Sequence, residues 1–200
     1  LTKRLSAKER RTTIIDVAKR LFAQNGFHGV SIDEIVKEVG VSPSILYRHF
    51  SSKDELYEAV LHAFSCTRES YVNAVVDDSD FEPVLRSMTK VFVNSIVCHP
   101  DLLKMEMHSQ LEGNDASREF FVNRWKSFTD YIEFNLQEMH NQGHIEAINA
   151  KAAALMYQGM IREALLLKCL QTTDQFNDVS IDELVNELLE LFLRLITIKK

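Results

Sequence analysis

What the chain has little of narrows it first. Three prolines and six glycines occur in 200 residues, and no run alternates apolar with polar residues over a strand's length, so an all-helical chain is expected. No stretch of about 18 apolar residues runs free of charge, and the opening "LTKRLSAKERR" has no apolar centre of the kind a secretory signal needs. Neither membrane insertion nor export is expected, and a cytoplasmic location follows. The three cysteines, Cys66, Cys98 and Cys169, are odd in number and widely spaced. That argues for reduced thiols in packed helical positions and against a disulfide framework or a metal knot. A Gly-rich phosphate cradle and a G-x-S-x-G nucleophile turn are both missing. His140 and His144 stand four apart, but beside Gly143 at a helix end and with no third ligand evident. His99, Asp101, Glu106 and His108 gather around Pro100 as a solvated joint. Enzymatic activity, a metal site and a bound cofactor are therefore not expected.

What is present is ordinary in amount and uneven in placement. The chain is 46% hydrophobic and 26% charged, enough to bury one or two sizeable cores. Residues 1–55 carry ten Lys/Arg against seven Asp/Glu, net +3, while the remaining 145 carry 13 against 22, net −9. Such asymmetry points to a basic head that meets a polyanion and an acidic body that does not.

Local signals divide the head into helices. From Lys8 to Asn25, Ile14, Val17, Ala18, Leu21 and Phe22 form one apolar stripe, and Gly26 stands where a left-handed residue would end it, letting Phe27 cover Phe22. Ser31 reads as the N-cap of the next helix, Glu34 closes a capping box, and Val30 with Ile35 forms the hydrophobic staple. Ile32, Ile35, Val36 and Val39 line its inner face, and Gly40 ends it. Ser42 then caps a third helix, with Pro43 in the first turn, where a missing N–H costs nothing.

Two short helices joined by a Gly-containing turn make a helix-turn-helix, whose second helix enters the major groove of DNA. In "VSPSILYRHFSSK", Leu46 and Phe50 can face inward, which leaves Ser44, Ile45, Tyr47, Arg48 and His49 more or less exposed. Seven residues span about 10 Å, a length that fits the groove. Lys53 opens a fourth helix after Ser52 as N-cap, with Glu55 closing the box. A cation there opposes the helix dipole, and such a break with the local rule suggests a phosphate seat.

At this point "TIIDVAKRLFAQNGFHGVSIDEIVKEVGVSPSILYRHFSSKDELYEAVL" resembles the DNA-binding domain of the TetR family of bacterial transcriptional regulators, over roughly residues 10–61. The resemblance implies a helix-turn-helix three-helix DNA-binding domain over residues 1–52 and a C-terminal helical bundle over 53–200 for ligand binding and dimerisation. Carried over residue by residue, it implies that Ser42, Pro43, Ser44, Tyr47 and His49 face DNA, while Ser31 and Lys53 hold phosphates. Tyr47 then touches a phosphate or a thymine methyl; Arg48 stays open between base edge, phosphate and solvent, and His49 between DNA contact and a structural role. Many members carry a Lys-Gly-Thr-like trio where this chain has Pro43-Ser44-Ile45, so the base preference stays open. Lys3, Arg4, Lys8, Arg10 and Arg11 form an arm and helix start near the DNA backbone or, for the first two, an ordinary terminus.

Beyond the head, helices are expected from Lys53 toward Val76 and near 81–98, 101–112, 115–141, 149–171 and 180–198, with breaks at Pro100 and Gly143. The last two are apolar around most of their circumference, which one protomer cannot cover. In the resembling family they pair with their mates across a two-fold axis, which suits a palindromic operator. Tyr157, Ile161, Leu165, Leu184, Leu188, Phe192 and Leu195 are the candidate dimer residues. Met88, Phe92, Ile96, Met105, Phe121, Trp125, Phe128, Tyr131 and Met156 are candidates for a pocket that takes an apolar or amphipathic small molecule, although such stripes are also plain core. The expectation is a homodimeric repressor of double-stranded DNA whose effector weakens operator binding through about 1–3 kcal/mol of coupling. The alternative is a helical protein–protein adaptor that keeps the head as a relic.

Overall fold

The computed structural model describes residues 6–65, 80–113, 115–170 and 176–197. Every regular element among them is a helix: α1 (Ala7–Asn25), α2 (Ile32–Val39), α3 (Pro43–Tyr47), α4 (Lys53–Ser65), α5 (Phe81–Cys98), α6 (Asp101–Glu112), α7 (Asp115–Asn141), α8 (Ala150–Cys169) and α9 (Ile181–Thr197). The expected boundaries agree with these to within two residues from α5 onward. Beyond Ser65, the expected extension of the fourth helix lies outside the described residues, as do Lys3, Arg4 and Cys66.

Two compact units divide the chain. One gathers 1–68 with 101–121, the other 69–100 with 122–200, so α7 contributes to both. This partition differs from the boundary at 52/53 drawn from sequence, because α1 packs against α2, α4 and also α6. The buried stripe of Ile14, Ala18, Phe22 and Ala23 is wider than α2 and α3 can cover. Leu56, Tyr57, Val60, Leu61 and Phe64 of α4, with Leu102, Leu103 and Met105 of α6, complete that core. Each such side chain, once fully withdrawn from water, contributes roughly 1.5–3 kcal/mol before the entropy of ordering is subtracted.

In the other unit α8 packs on α9, and α5 packs on both. Its centre is aromatic: Phe92 lies 4.5 Å from Trp125 and 5.1 Å from Phe128 between ring centroids, and Tyr157 is 6.0 Å from Phe128 and 5.5 Å from Phe192. The buried phenol of Tyr157 is satisfied by Thr89 Oγ1 at 2.6 Å, and Thr89 in turn donates to the Leu85 carbonyl. Arg86 joins α5 to α9 through Glu190 at 2.6 Å. Cys98, expected in a packed position, is exposed at the last residue of α5, whereas Cys169 is half-buried and its thiol is pushed up by that burial.

Candidate nucleic-acid interface

The helix-turn-helix is assembled by short-range chemistry. Ser31 Oγ accepts from Glu34 N at 3.2 Å and the Glu34 carboxylate accepts from Ser31 N at 2.8 Å, the reciprocal box expected. Donation from Ser31 N, and from Ser31 Oγ as well, to that carboxylate holds the Glu34 carboxyl below its ordinary value. Val30 and Ile35 are both buried. Gly40, at φ 76° and ψ 37°, takes the left-handed conformation that ends α2, and both its N–H and that of Val41 donate to Val36 O. Gly26 behaves differently. Its φ is 74° but its ψ is 176°, so α1 ends by turning into extended chain, with Phe27 still stacked 6.0 Å from Phe22.

α3 is shorter than expected, five residues, and continues as a tight turn in which Arg48 N donates to Ile45 O and His49 N to Leu46 O. Ser42 stands at the N-cap position without capping; its hydroxyl pairs with Ser44 Oγ at 2.9 Å instead. Leu46 and Phe50 are buried and fix the inner face. On the outer face Ser42, Pro43, Ser44, Tyr47 and Arg48 are exposed, Tyr47 to 51%, while Ile45 and His49 are half-buried. Two hydroxyls, a phenol and a guanidinium therefore share one solvent-facing surface on a piece of helix whose opposite side is anchored. Arg11 of α1 lies over the Phe50 ring at 4.7 Å, which places a second guanidinium beside this helix.

Lys53 also serves the protein's own backbone. Its ammonium donates to the carbonyls of Phe27 at 2.9 Å and Val30 at 3.0 Å and sits 4.3 Å from the Phe27 ring centroid. Two of its three donors thus serve the α1–α2 turn, and that is why a lysine is tolerated at the positive end of α4. Ser52 Oγ accepts from Glu55 N as expected, but the Glu55 carboxylate turns to Ser51 N and Oγ, which lowers its pKa. Glu112, which carried no signal in the sequence, accepts from Phe27 N at 2.8 Å.

The other two sets of candidates fare unevenly. Phe92, Trp125 and Phe128 come together in the second unit, where Met88 and Ile96 are buried as well, and Met105 and Phe121 belong to the first unit. Arg124 lies 4.8 Å over the Phe92 ring and donates to Ser95 Oγ at 3.1 Å. Tyr131 is half-buried and stacks on Phe81, and Met156 is half-buried. Of the dimer candidates, Tyr157, Ile161, Leu165 and Phe192 are at most 1% exposed and lie in the protomer's own core. Leu195 is 50% exposed and Leu184 and Leu188 are half-buried. Leu191 and Leu155, which the sequence reading did not single out, are open to 59% and 68%. The spacing 184, 188, 191, 195 repeats every three to four residues, which places these four leucines along one face of α9. His140 and His144 are exposed, and among the described residues no three His, Cys, Asp or Glu side chains converge as a metal site. No described helix is long and apolar enough to cross a membrane.

Residues 14–60 match the family described as bacterial regulatory proteins, tetR family. The HTH-type transcriptional activator FasR of Mycolicibacterium smegmatis is 48% identical over 58 residues, which are 29% of this chain and 26% of that one. The matched segment is thus about a quarter of that relative's length. Among solved structures, a putative transcriptional regulator from Saccharomonospora viridis in complex with choline superposes with TM-score 0.73 at 19% identity, over 96% of this chain and 100% of that one. AibR in complex with isovaleryl coenzyme A and operator DNA gives TM-score 0.69 at 18% identity, over 92% and 97%.

Proposed function

We propose that this chain, whose residues 14–60 match the tetR family of bacterial regulatory proteins, is a TetR-family regulator that acts inside the cell as a homodimeric, sequence-specific DNA-binding protein, binds a palindromic operator and is released by a small apolar or amphipathic molecule. The observation that supports this best is the outer face of α3: Ser42, Pro43, Ser44, Tyr47 and Arg48 stand exposed on a helix held from behind by Leu46 and Phe50. Ser, Tyr and Arg side chains in that arrangement read base edges and phosphates of a major groove. Ser31, at the start of α2, and the remaining donor of Lys53 are the phosphate contacts, and His49 borders the face. Repression is the family's usual output; the relative named an activator marks the other sign. Choline and isovaleryl coenzyme A, bound by two proteins of the same fold, support a small-molecule effector, here taken among Met88, Phe92, Trp125, Phe128 and Met156.

The dimer is assigned to the exposed seam of α9, Leu184, Leu188, Leu191 and Leu195, with Leu155 of α8. The experiment is selection from random duplex DNA on the purified protein, followed by sequencing of the bound pool. An enriched palindrome with half-sites about one helical turn apart, 34–36 Å, is the expected result. No enrichment at low salt would refute the reading.

A further inference from the structure

The turn from α1 to α2 is held by side chains on both polar sides of one peptide unit and its neighbour. Phe27 N donates to Glu112 Oε2 at 2.8 Å, while Phe27 O and Val30 O accept from Lys53 Nζ at 2.9 and 3.0 Å. Glu112 is the last residue of α6 and its side chain is 16% exposed. Its other carboxylate oxygen lies 4.0 Å from His108 Nδ1, one turn back along α6. The fit is close: a Cβ on Gly26 would come 1.8 Å from Glu112 Oε1 and 2.9 Å from His108 Nδ1. Behind this contact, α6 is fixed to α7 by the buried pair Ser109 and Ser117 at 2.8 Å, and Ser117 hydrogen-bonds Tyr57 of α4. Tyr57 packs its ring edge against Phe22 at 4.9 Å and Phe27 at 5.0 Å.

Neither α2, with eight residues, nor α3, with five, is long enough to hold its own place; short helices depend on the contacts that seat them. Ser31, the N-cap of α2, follows directly on Val30, so a shift of the Phe27–Val30 turn carries α2 and then α3 with it. We propose that Glu112 is a positioning residue for DNA binding: its carboxylate, opposed by Lys53, fixes the turn that sets α2 and α3 in the DNA-competent position. This inference rests on the regulator reading above. When the turn loosens, the competent fraction falls, and apparent affinity falls by the same factor.

The test compares Glu112→Ala, Glu112→Gln and Glu112→Asp on the operator recovered by selection, well below the melting temperature of each variant, with amide exchange at Phe27 measured in parallel. Alanine removes the acceptor; glutamine keeps a carbonyl oxygen of the same reach, and aspartate keeps the charge one methylene short. The expected result is operator binding about tenfold weaker for Glu112→Ala, an intermediate loss for Glu112→Asp, and near-native affinity for Glu112→Gln, with Phe27 exchange rates following the same order. The salt dependence of binding stays unchanged in all three, since no phosphate contact is lost. Should the alanine protein not fold, the Asp and Gln pair carries the comparison alone. Native affinity in a variant whose Phe27 exchange has quickened would overturn the proposal, as would weakened binding with Phe27 exchange unchanged. If the wild-type chain selects no sequence, it is the regulator reading that fails.

Discussion

Replacing Leu191 and Leu195 together by alanine is expected to turn the proposed dimer into a monomer without unfolding either protomer. Leu191 is 59% and Leu195 50% exposed in the single chain, so about half of each side chain is still available for burial by a partner. Full burial of a leucine is worth roughly 1.5–3 kcal/mol, which puts the open half near 1 kcal/mol. A two-fold interface uses every position twice, and the double substitution therefore removes roughly 3–5 kcal/mol, or about two to three and a half decades in dimer Kd. Sedimentation velocity over a dilution series reads this directly, with circular dichroism melts as the control for folding. Phe192→Ala supplies the contrast. That ring is 1% exposed and 5.5 Å from Tyr157, and its loss is expected to cost the protomer about 3–5 kcal/mol of stability. A double-leucine protein that dimerises as tightly as wild type, or a wild type that is monomeric at every concentration tested, would refute this assignment of the seam.

Three further expectations follow from buried hydroxyls and one glycine. Tyr157→Phe removes the hydroxyl paired with Thr89 at 2.6 Å and should lower stability by about 0.5–1.5 kcal/mol, read as an earlier urea midpoint; an unmoved midpoint would show that the bond contributes nothing net. Burial raises the Tyr57 phenol from 10.0 to about 12, so the folded state holds that proton more tightly than the unfolded one. Its contribution is complete below pH 10 and is lost as pH rises from 10 toward 12, and Tyr57→Phe should flatten that alkaline limb; a limb as steep in the variant would assign it elsewhere. Gly159, mid-α8, has nothing within 4 Å of where a Cβ would stand. Gly159→Ala should thus raise protomer stability by about 0.5–1 kcal/mol through helix propensity, while weakening the dimer if a second α8 approaches there. A dimer Kd unchanged by the methyl would show that no second helix comes close.

How much of this was legible in the sequence depends on the distance between partners. Ser31 and Glu34, three residues apart, announced the start of α2, and Gly40 its end, because a capping box and a left-handed stop are complete within one turn of chain. The inner and outer faces of α3 were likewise readable from the spacing of Leu46 and Phe50. Lys53 is only partly legible for the converse reason: by local rules a cation at a helix start suggests an anion, and the carbonyls that hold its ammonium lie 26 and 23 residues back. Glu112 was silent, since the amide it accepts from is 85 residues away. α8 and α9 are hard to read for a third reason. A helix apolar on most sides does not say which side is inward, and Tyr157 and Phe192, the largest residues there, went to the core, leaving medium-sized leucines outside. Ser42 shows the limit of residue type alone, since a serine at the capping position bonded another serine.

The first compact unit is built from two stretches with residues 69–100 between them, and this has a consequence for how the protein is born. α1 to α4 leave the ribosome before α6 has been made. At roughly 5–20 residues per second, the interval between residues 68 and 121 lasts roughly 3–10 s. Until residue 112 has been made the Phe27 amide has no Glu112 to meet, and the side of α1 that α6 will cover stays bare. The helix-turn-helix, first to be written in the chain, is therefore among the later parts to be finished, and the nascent head must be kept from premature contacts until the returning segment closes it.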